Sequence, residues 1–107
     1  MHSVKLTANF ERNLQEIETF LLEAQAPHAF DALLDELTGT VLPNLESFPG
    51  LGRLFLERPL GKNGELREYV MTHYLLLYAR INGVVYLLSI RHQRQLSFDF
   101  QALWPAP

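Results

Sequence analysis

Residues 66–100 read LREYVMTHYLLLYARINGVVYLLSIRHQRQLSFDF, and within them three apolar runs are separated by short polar breaks. Runs of this kind predict three consecutive β-strands. Asn82-Gly83 separates the second run from the third, and this dipeptide tolerates the positive φ angles that a two-residue type I′ turn requires. The sequence therefore predicts an antiparallel hairpin that turns at Asn82-Gly83.

Two turns in this stretch fix a register for the three strands. The Asn82-Gly83 turn predicts the pairs Ile81–Val84, Ala79–Tyr86, Tyr78–Leu87, Leu76–Ser89 and Tyr74–Arg91. A second turn at Thr72-His73 predicts the pairs Val70–Leu75, Tyr69–Leu76 and Arg67–Tyr78.

Because side chains alternate along a strand, this register divides the sheet into two faces. The predicted core face holds mainly aliphatic residues: Val70, Leu75, Leu77, Ala79, Ile81, Val84, Leu88 and Ile90, together with Tyr86 and Glu68. The predicted functional face holds the arginines and most tyrosines: Arg67, Tyr69, Tyr74, Leu76, Tyr78, Arg80, Val85, Leu87, Ser89 and Arg91, followed by His92 and Arg94. The plainer alternative is a half-solvated surface on which arginine stems cover tyrosine rings.

The first half of the chain predicts a short strand and two helices. Residues 3–8 alternate as a strand should, and Asn9 is the predicted N-cap of the helix that follows. That helix has a regular apolar stripe: Phe10, Leu14, Ile17, Leu21 and Ala24. A second stripe continues past Gly39 and Pro43, which predicts one kinked helix from about Pro27 to Ser47, with two helices as the alternative.

The remaining segments are a basic connection and an apolar C-terminus. Residues 49–65 read PGLGRLFLERPLGKNGE, and their glycine and proline content predicts irregular structure that carries Arg53, Arg58 and Lys62. The C-terminal segment is rich in large apolar residues: Leu96, Phe98, Phe100, Leu103 and Trp104. We expect this segment to pack along the domain's own edge, with a partner interface as the alternative.

Composition limits the classes of function. A chain of 107 residues with 48% hydrophobic content predicts a single domain over residues 1–107. The absence of cysteine excludes disulfides, thiolate catalysis and cysteine-ligated zinc, and the histidines have no metal-binding spacing, so neither a metal nor another cofactor is expected. No apolar run approaches the ~20 residues of a membrane helix, so no membrane association is expected, and the N-terminus lacks the layout of a signal peptide.

Charge is distributed unevenly along the chain. Residues 1–50 carry a net charge of −6, whereas residues 51–107 carry +3. This asymmetry indicates that the second half faces a polyanion or an acidic partner.

The order strand, helix, helix, three-stranded meander, with LREYV followed by YLLLYARINGVVYLLSIRHQRQ, resembles the RelE/ParE superfamily of bacterial toxins. The resemblance covers nearly the whole chain, including the PGLGR approach to the second strand. It implies an α+β fold of order β-α-α-β-β-β, in which a helical hairpin packs on one face of a mainly antiparallel sheet. It also implies a cytoplasmic toxin that a cognate antitoxin neutralises, in a toxin–antitoxin hetero-oligomer.

The superfamily has two activities, and the resemblance implies one of them. ParE-like members poison DNA gyrase, and this reading is slightly favoured because RHQRQ is similar to the end of the last strand in those members. RelE-like members cut messenger RNA on the ribosome without metal, which is the alternative. A further alternative is an inactive RNA-binding or scaffolding module.

The nuclease reading assigns roles to particular residues. Arg67 and Arg91 match superfamily arginines and would stabilise charge on the phosphate, while His92 would act as general acid or base. Four residues would hold the target: Lys62, Tyr69, Tyr78 and Arg94. Two departures oppose this reading, because the C-terminal segment lacks a tyrosine and the chain is less basic than a ribosome-docking protein. His92 could instead be a structural residue that ties the C-terminal segment to the sheet.

Overall fold

The structure is a computed structural model that describes residues 3–57 and 64–94, and of residues 55–57 only the backbone. The helices are α1 (Ala8–Glu23), α2 (Pro27–Glu36) and α3 (Leu42–Ser47), with a π-helical turn at Leu37–Val41 between the last two. The strands are β1 (Ser3–Leu6), β2 (Arg53–Glu57), β3 (Gly64–Val70), β4 (Tyr74–Ile81) and β5 (Val84–His92). They form one sheet of order β1-β5-β4-β3-β2, in which only the β1–β5 pair is parallel.

Helix α1 begins two residues earlier than the sequence predicts. Its N-cap is Thr7, whose hydroxyl accepts a hydrogen bond from Phe10 N at 3.2 Å, so the prediction of Asn9 as the cap is wrong. The Asn9 side chain instead donates to the carbonyl oxygen of Leu88 at 2.8 Å. Both residues therefore attach the start of α1 to β5.

The predicted helix from Pro27 to Ser47 is continuous. Pro43 has no N–H and its ring excludes the normal position of the Gly39 carbonyl, so a regular α-helix is not possible here. The π-helical turn accommodates it, and the N–H of Leu42 donates to the carbonyl of Leu37, five residues earlier. The prediction of a single interrupted helix is confirmed.

Strand β2 is absent from the sequence prediction. Residues 53–57 pair antiparallel with β3, within the segment that was expected to be irregular, so that expectation is wrong for these five residues. The surrounding glycines and prolines obscured a short RLFLE run that fits a strand. The described residues therefore form four strands after the helices, where three were predicted.

The hairpin turn is where the sequence places it. Asn82 and Gly83 have φ angles of 49° and 81°, and Ile81 lies opposite Val84. All the predicted pairs between β3 and β4 are confirmed. Between β4 and β5 the register shifts at a β-bulge, because Tyr78 pairs with Leu87 whereas Leu77 pairs with Ser89. Beyond this bulge Leu75 pairs with Arg91 and Tyr74 with His92, so the predicted Leu76–Ser89 and Tyr74–Arg91 pairs are wrong.

The two faces of the sheet have the opposite roles from those predicted. The helices cover the face that was predicted to be functional, and the core there contains Phe10, Leu33, Leu37, Val41, Leu45, Met71, Tyr74, Leu76, Tyr78, Val85, Leu87 and Ile90. Val70, a predicted core residue, is 64% exposed. The reason is that both faces are largely apolar, so alternation alone does not identify the one that meets the helices. We call the face without described helices the second face; it carries Leu66, Leu77 and Ala79.

No helix in the described part of the chain is long and apolar enough to cross a membrane.

Candidate functional site

Arg67 and Tyr78 hold the loop formed by residues 49–52. The Tyr78 hydroxyl donates to Pro49 O at 2.8 Å and accepts from Gly52 N at 2.9 Å. The Arg67 guanidinium donates to Gly52 O at 2.7 Å and to Gly50 O at 3.2 Å. We call this arrangement the loop clamp. The sequence predicted that Arg67 pairs with Tyr78, and this pairing brings the two side chains to the same loop. The sequence did not predict that the pair holds the loop.

The loop clamp is buried and largely neutralised. Tyr78 has no exposed surface, and its burial raises the pKa of the phenol, so the hydroxyl stays protonated. Arg67 also donates to Glu65 Oε2 at 2.8 Å, and its side chain is only 17% exposed. A guanidinium that already binds a carboxylate and two carbonyls has few donors left for a phosphate. Three of the five guanidinium donors of Arg67 are therefore engaged within the chain.

Arg80 is the more accessible cation at this end of the sheet. Its side chain is 38% exposed, and Nη1 lies 3.9 Å from Glu65 Oε2. Sequence reasoning placed Arg80 on the functional face but gave it no role. The sequence contains a signal for its position, because Arg80 lies two residues before the Asn82-Gly83 turn and next to Ala79 of the confirmed Ala79–Tyr86 pair.

The end of β5 forms a second group of polar residues. His92 packs against Tyr74 edge to face, with ring centroids 5.3 Å apart and planes at 78°. The Nδ1 atom of His92 accepts from Arg94 N at 3.1 Å, so a neutral imidazole would carry its proton on Nε2. Arg91 donates to His92 O at 3.3 Å. Burial raises the pKa of Tyr74, which leaves this phenol neutral as well.

The sequence-predicted site residues lie at different levels of the sheet. Arg67 is level with Tyr78 on the strands, whereas His92 is level with Tyr74, four residues away. Four residues along a strand correspond to about 13 Å, and the two strand spacings between β3 and β5 add about 10 Å across the sheet. By register Arg91 lies level with Leu75, three residues along the sheet from the level of Arg67. The structure therefore does not bring Arg67, Arg91 and His92 together.

The remaining predicted site residues are also spread over the molecule. The Tyr69 hydroxyl accepts from Asn44 Nδ2 at 3.3 Å on the helix-covered face. Arg94 is exposed beside His92. Lys62 lies outside the described residues.

A wide groove lies between the helices α1 and α2 and the ends of β4 and β5. Its volume is about 1490 Å³. The apolar lining includes Ile17, Phe20, Leu21, Leu33 and Ile90. Charged and titratable side chains on its rim include Arg12, Glu16, Glu36, His73, Arg91, His92 and Arg94. An apolar floor with polar ends is typical of a site that binds a peptide segment.

Among residues 3–57 and 64–94 no three side chains of the metal-ligating types stand close enough to hold a metal ion.

Comparison with known proteins identifies the family. The model of the ParE toxin of the type II toxin–antitoxin system parDE matches residues 4–97. The chain belongs to this ParE toxin family. It is therefore the toxin component of a type II toxin–antitoxin system, as the resemblance implied.

A solved structure supports the fold of this ParE-family toxin. A chain in the crystal structure of the toxin–antitoxin complex RelBE2 from Mycobacterium tuberculosis matches it with a TM-score of 0.56 and 22% sequence identity. The match covers 86% of this chain and 98% of that one. No functionally curated protein sequence matches significantly. The predicted α+β arrangement of helices on a mainly antiparallel sheet is confirmed.

Proposed function

We propose that this toxin arrests growth by acting on DNA gyrase, in the manner of a ParE-like poison, and that a cognate antitoxin neutralises it by binding in the groove. The separation of Arg67 from His92 and Arg91 is the observation that carries the gyrase assignment. A gyrase poison needs a binding surface and no proton transfer of its own.

Messenger RNA cleavage makes stricter demands on geometry. The base that takes the 2′-hydroxyl proton must lie within about 2.6–3.2 Å of it in the reacting complex, and a cation must stand beside the same phosphate. His92 is about 13 Å along the sheet from the level of Arg67. Two titratable acids lie beside Arg67: Glu65, which already accepts its hydrogen bond, and Tyr78, whose buried hydroxyl is already bonded to Pro49 O and Gly52 N.

One feature favours the nuclease alternative. His92 lines the groove, whose lining also includes three arginines, Arg12, Arg91 and Arg94, and three acids, Glu16, Asp35 and Glu36. This cluster, rather than the Arg67 face, would then be the catalytic one. Replacing His92 distinguishes the two activities.

The gyrase assignment is tested with purified components. We expect the toxin to inhibit supercoiling of relaxed plasmid by DNA gyrase, and premixing with the antitoxin to restore it. The variant His92→Gln keeps much of the ring's shape and hydrogen bonding, so it should inhibit as well as the natural chain. If supercoiling is unaffected while ribosome-bound mRNA is cut, and His92→Gln lowers that cutting by ~10²-fold or more, the nuclease alternative is correct.

The antitoxin segment that suits the groove is acidic and apolar. Its apolar side chains would cover the groove floor, and its carboxylates would pair with the arginines on the rim. Such segments are often disordered until they bind. The antitoxin segment would therefore contact α1, α2 and the ends of β4 and β5.

Two equally exposed phenylalanines provide a matched test of this contact. Phe20 and Phe48 are each 66% exposed, but only Phe20 lines the groove. We expect Phe20→Ser to weaken antitoxin binding about tenfold or more, as a truncated interface anchor does, and Phe48→Ser to leave it unchanged. Equal effects of the two substitutions, measured by titration calorimetry on folded proteins, would place the antitoxin elsewhere.

A further inference from the structure

The segment of residues 48–54, which leads from α3 into β2, exposes large apolar side chains. Phe48 is 66% exposed, Leu51 is 52% exposed and Leu54 is 43% exposed. Three of the seven large apolar side chains that are exposed in the described part of the chain thus lie within seven consecutive residues. None of the three lines the groove. Single exposed apolar residues are common on protein surfaces, whereas a cluster of them marks an interaction site.

Hydrogen bonds hold the backbone of this segment in place. The loop clamp binds the backbone of residues 49, 50 and 52. Phe48 N donates to Asn44 O at 2.7 Å, and Leu51 N donates to Phe48 O at 3.0 Å. A loop that is already ordered loses little conformational entropy on binding, so more of the energy of burying its side chains contributes to affinity. The clamp therefore presents Phe48 and Leu51 in a fixed position.

An arginine stands beside these apolar side chains. A Cβ at Gly50 would lie 3.4 Å from Arg80 Nη1, so this guanidinium borders the loop, and its side chain is partly exposed. Leu54 adjoins the loop from the other direction, because it pairs with Arg67 on β3. We call Phe48, Leu51, Leu54 and Arg80 the loop surface. It combines three apolar side chains with one accessible cation.

The chemistry of the loop surface suits a protein partner better than a nucleic acid. A protein that binds duplex DNA neutralises several phosphates. In the described part of the loop region, Arg53 is the other exposed cation, and it already donates to Glu68 Oε1 at 2.8 Å. Apolar side chains gain affinity by leaving water against another apolar surface, and a guanidinium beside them binds a carboxylate through two parallel hydrogen bonds. The matching partner surface is apolar and carries an acidic residue.

We propose that the loop surface is where the toxin binds its target protein. Phe48 and Leu51 pack into an apolar cleft of a gyrase subunit, and Arg80 pairs with a carboxylate at the edge of that cleft. This inference rests on the gyrase assignment and names the part of the toxin that makes the contact. It gives the toxin two separate binding surfaces, the groove for the antitoxin and the loop surface for the target.

Serine substitutions measured with purified gyrase test the contact. We expect Phe48→Ser and Leu51→Ser each to raise the toxin concentration that half-inhibits supercoiling by about tenfold or more. Leu22→Ser is the matched control, because Leu22 is 57% exposed on α1 and belongs to neither binding surface. It should inhibit as well as the natural chain. Both loop variants should bind the antitoxin as tightly as the natural chain does, which also shows that they are folded.

The natural chain, measured in the same assay, separates this inference from the gyrase assignment. If the natural chain inhibits gyrase and the loop variants inhibit it equally well, the loop surface is not the contact, while the gyrase assignment stands. An equal loss in Leu22→Ser, or lost antitoxin binding in a loop variant that circular dichroism shows to be folded, would also overturn the inference. If the natural chain leaves supercoiling intact, the gyrase assignment fails and the inference fails with it.

Photocrosslinking provides an independent measurement that keeps an aromatic ring at the contact. Phe48 and Phe20 are equally exposed, so benzoyl-phenylalanine can replace either one as a matched pair. With gyrase and plasmid present, the probe at position 48 should crosslink to a gyrase subunit and the probe at position 20 should not. With the antitoxin alone, the probe at position 20 should be the one that crosslinks. Crosslinking of position 48 to DNA only, or of both positions to gyrase equally, would overturn the inference, and this experiment decides the question if the serine variants do not fold.

Discussion

At Gly52 the fold leaves no room for a side chain. A Cβ there would lie 2.8 Å from the backbone oxygen of Glu68 and 2.8 Å from the ring and hydroxyl of Tyr78. We expect Gly52→Ala to lower the free energy of unfolding by about 1–3 kcal/mol, as overpacking does. Gly39→Ala is the control, because nothing lies within 4 Å of its Cβ and alanine is the better helix former. Urea unfolding in which both variants match the natural protein would contradict the loop clamp.

The Tyr78 hydroxyl predicts a second effect at the residue scale. Tyr78→Phe leaves Gly52 N and Pro49 O without their partner, which should reduce stability by about 1–3 kcal/mol at neutral pH. Tyr69→Phe removes one longer hydrogen bond and should have a smaller effect. Equal losses in the two variants would show that the loop does not depend on Tyr78.

Tyr78 also contributes to the pH dependence of stability. An unfolded tyrosine ionises near pH 10, whereas burial raises the pKa of Tyr78 in the folded protein. Above about pH 10 the folded state therefore binds more protons, so this contribution is complete below that pH and is lost as the pH rises through the folded pKa. Unfolding curves at about pH 8 and about pH 11 should show a smaller alkaline loss for Tyr78→Phe than for the natural chain. An unchanged or larger loss would contradict the burial of this phenol.

Residue patterns predicted the hairpin turn but not the role of Arg67. Asn82-Gly83 is a local signal, because its positive φ angles depend only on these two residues. The partners of Arg67 are the carbonyls of residues 50 and 52 and the carboxylate of Glu65. Backbone carbonyls 15 or more residues away leave no mark in the sequence, so an arginine that binds them resembles one that binds phosphate.

Among the elements of the fold, the bulge in β5 shifts the register of the strand's end by one residue, so that Arg91 pairs with Leu75 and His92 with Tyr74. Three polar residues of the α1 region hold it: Thr7 donates to Leu87 O at 2.8 Å, Asn9 donates to Leu88 O at 2.8 Å, and Asn13 Oδ1 accepts from Ile90 N at 3.1 Å. These bonds compensate for the ladder contacts that a bulge interrupts. Side chains of the α1 region therefore stabilise the bulge.

Asn13→Ala should destabilise the protein by about 1–3 kcal/mol, since the Ile90 N–H and the Ser89 hydroxyl both lose their acceptor. Asn44→Ala, which removes a single side-chain hydrogen bond to Tyr69, is the control.

The bulge itself can be tested with pairs of introduced cysteines, because the natural chain has no cysteine. Leu75→Cys with Arg91→Cys should form a disulfide more readily than Leu75→Cys with Ile90→Cys. If the Leu75–Ile90 pair formed the disulfide more readily, the strands would pair without a bulge.

The buried side of an element could be predicted from the sequence where only one of its faces is apolar. It was ambiguous where both faces are apolar. The stripe of α1 and the continuous helix through Ser47 followed from spacing. The sheet faces did not, because Tyr74 and Tyr78 suggested solvent while their rings are buried. Where both faces of a sheet carry apolar residues, alternation along the strands does not identify the face that meets the helices.

At the scale of the whole molecule, the two sides of the sheet have different tasks. One side holds the helices and the groove with its charged rim, and the other holds the second face with Leu66, Leu77 and Ala79. The sequence predicted the family and its toxin role because the order of elements is distinctive. It could not predict the location of the site, since that depends on the bulge and on which face the helices cover.

We propose that this toxin stops DNA replication and leaves translation intact. The most direct measurement is the order in which macromolecular synthesis stops after the chain is induced in cells without its antitoxin, followed by pulses of labelled thymidine and labelled leucine. We expect thymidine incorporation to fall first and leucine incorporation to continue during that interval, and we expect His92→Gln to behave in the same way. Leucine incorporation that stops first, with cleaved mRNA and continued thymidine incorporation, would contradict it.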